Sequence, residues 1–306
     1  VRLRCAASVP VGSATAAIHA DAVEVARAEA TGGSWRFSTD SDVAPPMSTS
    51  STFDCAPEGA EGHVYSRISN PSRARCEALL GSLEVGFDGG PAHAVLYSSG
   101  LAAIFAAMAR VLPTRVAISG GYHGTHEVLN QLQRITAGQK CQVIPRPPAS
   151  ELQTQLRPGD LVWIETPINP SCDVADIAEY VAAAREVGGV CVAVDGTFAP
   201  PPLQHPLALG ADILMHSTTK YLTGHSDAVG GALCVSDATL AQQLRKERTA
   251  LGSTPGSLEV WLLMRSIRTL HLRVTRQSTT ASQLAEWLYE ATPAGQSAKP
   301  QGGPQH

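Results

Sequence analysis

The chain has 306 residues, 43% hydrophobic and 16% charged, with a formal charge of −4 spread along its length. That is enough chain for one large α/β core, or for a large and a small one. No basic stripe marks a nucleic-acid surface, and no apolar run approaches the roughly 18–20 residues of a membrane helix.

The first 61 residues are polar and loop-rich, with one short helix expected around 21–30. This arm lacks apolar periodicity, so it has to lie over another surface. The sequence starts at Val1 without the apolar core of a signal peptide, and its Arg-, Ser- and Ala-rich opening reads as an incomplete N-terminus. Seven scattered cysteines with no C-x-x-C pair argue against a zinc site or a disulfide framework, and for a reducing, cytoplasmic setting.

From residue 93, short apolar runs alternate with amphipathic ones. Strands are expected at "HAVLYS", "RVAIS", "CQVIP", "DLVWIET", "CVAVDGTF", "DILMHS" and "GALCVS". Helices are expected over 101–111, 125–136, 173–187 and 240–251. Strand–helix–strand repetition predicts an α/β fold with a mostly parallel central sheet sandwiched by helices. Catalytic groups then belong at the C-terminal ends of strands. A long helix over 257–291 is expected to leave this large domain (62–256) and begin a second. The tail 292–306 is low-complexity and expected to be disordered.

Lys220, one of four lysines, follows an apolar strand in "HSTTKYLTGHSD". Ser217 and Thr219 offer hydroxyls beside it, and Gly224 allows close approach of a ligand. A lysine held at a partly desolvated strand end has a depressed pKa and can form a Schiff base with a carbonyl cofactor. The plain alternative is a solvated loop lysine. Asp195 ends the strand "CVAVD". It either pairs with a cation or caps a helix, or it holds a ring nitrogen protonated.

"YSSGLAAI" is a strand, a turn and a helix start: Ser99 can cap, and the amides of Gly100 and Leu101 form an anion site. "GGYHGTH" puts Tyr122 in a glycine-rich turn, where it can lie flat on a planar ring. His123 and His126 lack a third ligand of matching spacing, so no metal is expected. In "ETPINP" two prolines fix the loop around Asn169, and in "HVYSRISNPS" Tyr65 and Arg67 lie on an extended segment, where arginine suits phosphate.

These six motifs, "HVYSRISNP", "SSGLAAI", "GYHGT", "ETPINP", "VDGTFAPPPL" and "HSTTKYLTGHSD", occur in the order of the Cys/Met-metabolism family of pyridoxal-phosphate enzymes. The chain resembles that family, which includes cystathionine γ-synthase, the cystathionine lyases and methionine γ-lyase, from about residue 14 to 289. The wording "GYHGTH" and "WLLMRSIRTLHLRV" looks most like the fungal γ-synthase-like branch. The resemblance implies the fold-type-I PLP-dependent transferase architecture, with an N-terminal arm and a small C-terminal domain. It implies that Lys220 holds pyridoxal 5′-phosphate through a Schiff base, Asp195 faces the pyridine nitrogen, Tyr122 stacks on the ring and Asn169 lies near the phenolic oxygen. Ser99, Gly100, Leu101, Ser217 and Thr219 would form the phosphate site. Tyr65 and Arg67 would reach the phosphate of a neighbouring subunit, making the arm an intersubunit strap in a homodimer, paired again into a homotetramer.

Two departures stand out: Gly196 where the family usually has asparagine, and Cys172 where it usually has glycine. The C-terminal domain of the family also carries a carboxylate-clamping arginine, and this sequence ends before that domain is built. Arg265, Arg268 and Arg273 read as helix-surface or interdomain residues. The function implied is a transsulfuration-type carbon–sulfur lyase or γ-synthase on small amino-acid substrates, with Lys220, Tyr122 and Asp195 catalytic. The alternative is a catalytically silent paralogue that binds cofactor or a sister subunit.

Overall fold

A computed structural model describes residues 44–54 and 62–292. The expected helix around 21–30, most of the arm and the tail from 293 lie outside these residues. All seven expected strands form: β1 (His93–Tyr97), β2 (Arg115–Ala117), β3 (Gln142–Ile144), β4 (Leu161–Glu165), β5 (Cys191–Asp195), β6 (Ile213–His216) and β7 (Gly231–Val235). They make one sheet in the order β1-β7-β6-β5-β4-β2-β3. Only β7 runs antiparallel to its neighbours; the other adjacent pairs are parallel.

Side chains alternate across this sheet, as the period of two requires. Val162 and Ile164 of β4 join one core with Val192 and Val194 of β5. Leu161 and Trp163 join the opposite core with Ala193. Both faces are therefore covered, which is why these strands read as continuous apolar runs rather than as alternation.

The helices on the second face are α2 (Gly100–Val111), α3 (His123–Ile135) and α6 (Ala238–Leu251). The first face takes α1 (Pro71–Leu83), α5 (Ile177–Val187) and α7 (Ser257–Ile267). A short helix α4 (Leu152–Gln155) precedes β4, and α8 (Leu270–Glu290) ends the described chain.

Three differences from expectation have physical causes. Helix α1 was not expected. Asn70 starts it by accepting hydrogen bonds from the backbone N–H groups of Ser72 and Arg73, with Pro71 at its first position. Helix α5 begins at Ile177 rather than 173, because Asp176 caps it through the N–H of Glu179. The helix expected over 257–291 is two helices with a break at Arg268 and Thr269. Val260, Leu263, Met264 and Ile267 of α7 are buried in the first core, packed with α1. Beyond Val274, α8 buries nothing, and Leu284, Trp287, Leu288 and Tyr289 stand exposed.

Among the described residues no helix is long and apolar enough to cross a membrane. The cysteines there, Cys76, Cys141, Cys172, Cys191 and Cys234, are free thiols, and no cluster of His, Cys, Asp and Glu has metal-holding geometry.

Candidate active site

Parallel strands of an open sheet deliver their C-terminal residues to one edge, where loops leave a crevice. Here Glu165, Asp195 and Met215 sit side by side in register across β4, β5 and β6. All three line a cavity of about 460 Å³. The remaining walls come from the N-terminus of α2 (Ser99, Gly100, Leu101, Ile104), from Tyr122, from Pro167 and Asn169, from Thr197 and Phe198, and from Ser217, Thr219, Lys220 and Val229.

Nine of the residues singled out in the sequence thus meet in one place: Ser99, Gly100, Leu101, Tyr122, Asn169, Asp195, Ser217, Thr219 and Lys220. Tyr65 and Arg67 do not line this cavity. Tyr65 is exposed. The Arg67 guanidinium lies 5.4 Å from the Tyr65 ring centre and donates at 3.3 Å to the carbonyl of Thr249.

Asp195 is 5% exposed. Its Oδ1 accepts from the N–H of Thr197 at 3.0 Å. Burial pushes its pKa from 3.8 up to about 6; the Glu165 carboxylate adds to the rise, and Thr197 and His216 oppose it. None of the ion pairs among the described residues includes it.

Lys220 belongs to the loop that leaves β6, and its carbonyl accepts from the N–H of Gly224 at 2.7 Å. Its side chain faces both the 460 Å³ cavity and a wider one of about 800 Å³. The sequence suggested a partly desolvated lysine; it is exposed here. Arg273, read from sequence as a helix-surface or interdomain residue, is tied to this loop. Its guanidinium donates to the carbonyls of Tyr221 at 2.9 Å and Leu222 at 3.3 Å.

At the opposite wall Ser99 caps α2, its Oγ accepting from the N–H of Ala102 at 3.1 Å. A Cβ on Gly100 would lie 3.0 Å from the Ser217 side chain, so glycine lets the helix start and Ser217 close on one another. Ser217 is fixed in turn by its own N–H, which donates to Thr197 Oγ1 at 2.9 Å. Thr219 spends its single hydroxyl proton on the Gly230 carbonyl at 3.2 Å, so an anion would meet the backbone there rather than that O–H.

Sequence reading quoted Glu165 only as the start of a motif, and it gave no role to Thr197, Phe198 or Met215. Thr197 had a signal, since it follows Asp195 by two residues, the spacing at which an Asp side chain binds the backbone. Glu165 had none, because its partners are main-chain amides: it accepts from Tyr122 N–H and Asn169 N–H, each at 2.7 Å. His126 is occupied by the Gly120 carbonyl at 2.8 Å. The two family departures also have surroundings. A Cβ at Gly196 would stand 2.9 Å from Leu214 Cδ1 and 3.1 Å from His216 Cε1, and Cys172 has a left-handed φ of 61°.

Residues 29–298 match the family described as Cys/Met metabolism PLP-dependent enzyme. A probable cystathionine γ-synthase of Herpetosiphon aurantiacus is 35% identical over 232 residues, covering 75% of this chain and 70% of that protein. A cystathionine γ-lyase of Bacillus subtilis is 36% identical over 272 residues, covering 86% and 69%. The crystal structure of a cystathionine γ-lyase from Micromonospora echinospora superposes with a TM-score of 0.78 at 35% identity, covering 94% of this chain and 71% of that one. Against five curated relatives, the chain spans 57–70% of their length.

The donor set fits pyridoxal phosphate. A buried carboxylate with no ion-pair partner among the described residues suits a protonated ring nitrogen. An amine on the same cavity suits an aldehyde, and a helix N-terminus beside Ser217 suits a phosphate. The α/β sheet, the cavity and the matches agree: this chain belongs to the Cys/Met metabolism family of PLP-dependent enzymes.

Proposed function

We propose that the protein is a transsulfuration-type enzyme that eliminates or replaces the β- or γ-substituent of sulfur-containing amino acids, as a lyase or a γ-synthase. One observation carries this: Lys220 and Asp195 line the same cavity, together with Tyr122, Asn169 and the N-terminus of α2.

Asp195 would hold the pyridine nitrogen protonated, and that cation would offset the cost of its buried charge. Ser99, Gly100, Leu101 and Ser217 would hold the phosphate, Thr219 through its backbone, and Asn169 would lie by the phenolic oxygen. Tyr122 would lie against the ring face. The cofactor, when bound, supplies the electron sink that makes the α-proton of an amino acid removable. The Lys220 amine is the base that takes this proton, and Tyr122 helps deliver a proton toward the departing sulfur. Tyr65 and Arg67, outside their own cavity, would complete the phosphate site of a second subunit. The working unit is then a homodimer, paired again into a tetramer, with residues 1–61 as the arm of a strap that Tyr65 and Arg67 continue, and 62–256 as the cofactor-binding unit.

The test is spectroscopic and chemical. Protein supplied with pyridoxal phosphate should acquire a visible band that borohydride fixes covalently and that Lys220→Ala lacks. With cystathionine it should release pyruvate or 2-oxobutyrate. A protein that takes up no cofactor overturns the reading; one that binds it and yields no keto acid, thiol or replacement product across a panel of sulfur amino acids is a silent paralogue.

A further inference from the structure

Glu165 is a second carboxylate on the cavity, directly across the ladder from Asp195 and 8% exposed. Paired carboxylates at a site usually suggest an acid and a base. The hydrogen bonds argue otherwise. Oε2 accepts from the N–H of Tyr122 and Oε1 from the N–H of Asn169, both at 2.7 Å. Each oxygen is thus committed to a backbone amide on a different wall.

Two independent features show that the backbone is built around this carboxylate. Tyr122 is the N-cap of α3 but makes no side-chain cap bond, and the first turn of α3 has no acidic residue. In a capping box, a Glu one turn into the helix accepts the N-cap N–H. Glu165 takes that N–H from another strand. Gly121, beside it, has φ of 88°, and a Cβ there would lie 2.4 Å from Glu165 Oε2. Only glycine admits both that backbone conformation and that approach.

We propose that Glu165 is a positioning residue: a two-ended tie from the end of β4 that fixes the Tyr122 turn and the Asn169 loop on either side of the cofactor cavity. The part concerning cofactor rests on the function proposed above; the tie itself does not. Such charge-assisted bonds are short and about twice as strong as neutral ones, and they set the spacing of two walls before anything binds.

Two variants separate position from charge. Glu165→Gln keeps the length but turns one acceptor into an amide donor facing a backbone N–H. Glu165→Asp keeps the charge beside Asp195 but is one methylene too short to reach both amides. Amide hydrogen exchange is measured on cofactor-free protein, and pyridoxal phosphate affinity by visible titration. In wild type, the Tyr122 and Asn169 amides should exchange slowly. Each variant should speed exchange at one or both of these amides by at least about 10-fold and weaken cofactor binding by about 10-fold or more, the range for losing one charged hydrogen bond. The tie is refuted if either wild-type amide exchanges at the rate of an open peptide, or if Glu165→Asp behaves like wild type in both measurements. It is equally refuted if only cofactor binding changes, because that marks a charge effect on Asp195. Wild type that takes up no pyridoxal phosphate sinks the proposed function and leaves the exchange result to decide the tie.

Discussion

Two buried carboxylates in this protein are treated in opposite ways. Glu77 on α1 is 6% exposed and meets Arg245 Nε at 3.1 Å, Arg248 Nη1 and the N–H of Leu96 at 3.0 Å. Burial alone would raise its pKa, but Arg248 and Arg245 outweigh that and hold it below the usual value. Asp195 is as deeply buried and has one backbone donor, and its pKa climbs to about 6. At Glu77 the chain supplies the countercharge, and the product is stability. At Asp195 the chain supplies no ion-pair partner among the described residues, and in the function proposed above a cationic ring would supply it.

The contrast can be attacked from its stable side first. Arg248→Leu removes the arginine that hydrogen-bonds Glu77 from within the core, leaving Arg245 at its rim and Arg73 nearby, and should cost about 3–5 kcal/mol in urea unfolding. A loss under about 1 kcal/mol would show that the Glu77 cluster is not a compensated charge. The reverse is expected at the cavity: Asp195→Asn should stabilise the cofactor-free protein at neutral pH while crippling cofactor binding. A carboxyl whose folded pKa is raised gives up stability as pH climbs from 3.8 through about 6. The difference of about 2 units corresponds to about 3 kcal/mol at 1.36 kcal/mol per unit. The gap between variant and wild type should therefore be absent near pH 3.5, open between 4 and 6, and stay constant above. His63, lowered to about 4 by burial and by Arg73, works in the opposite sense over the same range. It is common to both proteins and cancels in their difference. A gap that fails to open would mean that Asp195 is not charged at a cost.

The smallest effect concerns strain rather than charge. Cys172, in the loop after Asn169, holds φ of 61°, where a side chain costs about 1–2 kcal/mol. Cys172→Gly relieves it but loosens the unfolded chain. A net gain of about 0.5 kcal/mol, seen as a small rise in Tm, is expected. A fall would place the strain elsewhere.

The same contrast explains what the sequence disclosed. Strands buried on both faces, such as β4 to β7, are nearly uninterrupted apolar runs and so were legible, as was the exposed edge strand β3 from its short β-branched run, and Asp195 and Lys220 could be assigned to strand ends. Helix α1 stayed hidden because its buried face carries Arg73 and Glu77, which in a sequence look solvated. The break at Arg268–Thr269 has no proline or glycine to announce it, and helical periodicity runs straight across. Thr269 N–H instead bonds Ser266 O, while Arg273 reaches back to Ser266 O and across to the Lys220 loop. Glu165 escaped because a side chain that serves only main-chain amides leaves no pattern in residue types.

The one antiparallel strand has a mechanical result. Since β7 returns beside β6, residues 217–230 leave and re-enter the sheet on adjacent strands, about 4.8 Å apart. The stretch bearing Lys220 is anchored at both feet, with no crossover helix to swing it. Thr219 Oγ1 laces the two sides together through the N–H and carbonyl of Gly230, at 3.1 and 3.2 Å. The Lys220 amine can therefore sweep through its own four-carbon stem while its Cα stays put, so that reach comes from the side chain and aim from the hairpin.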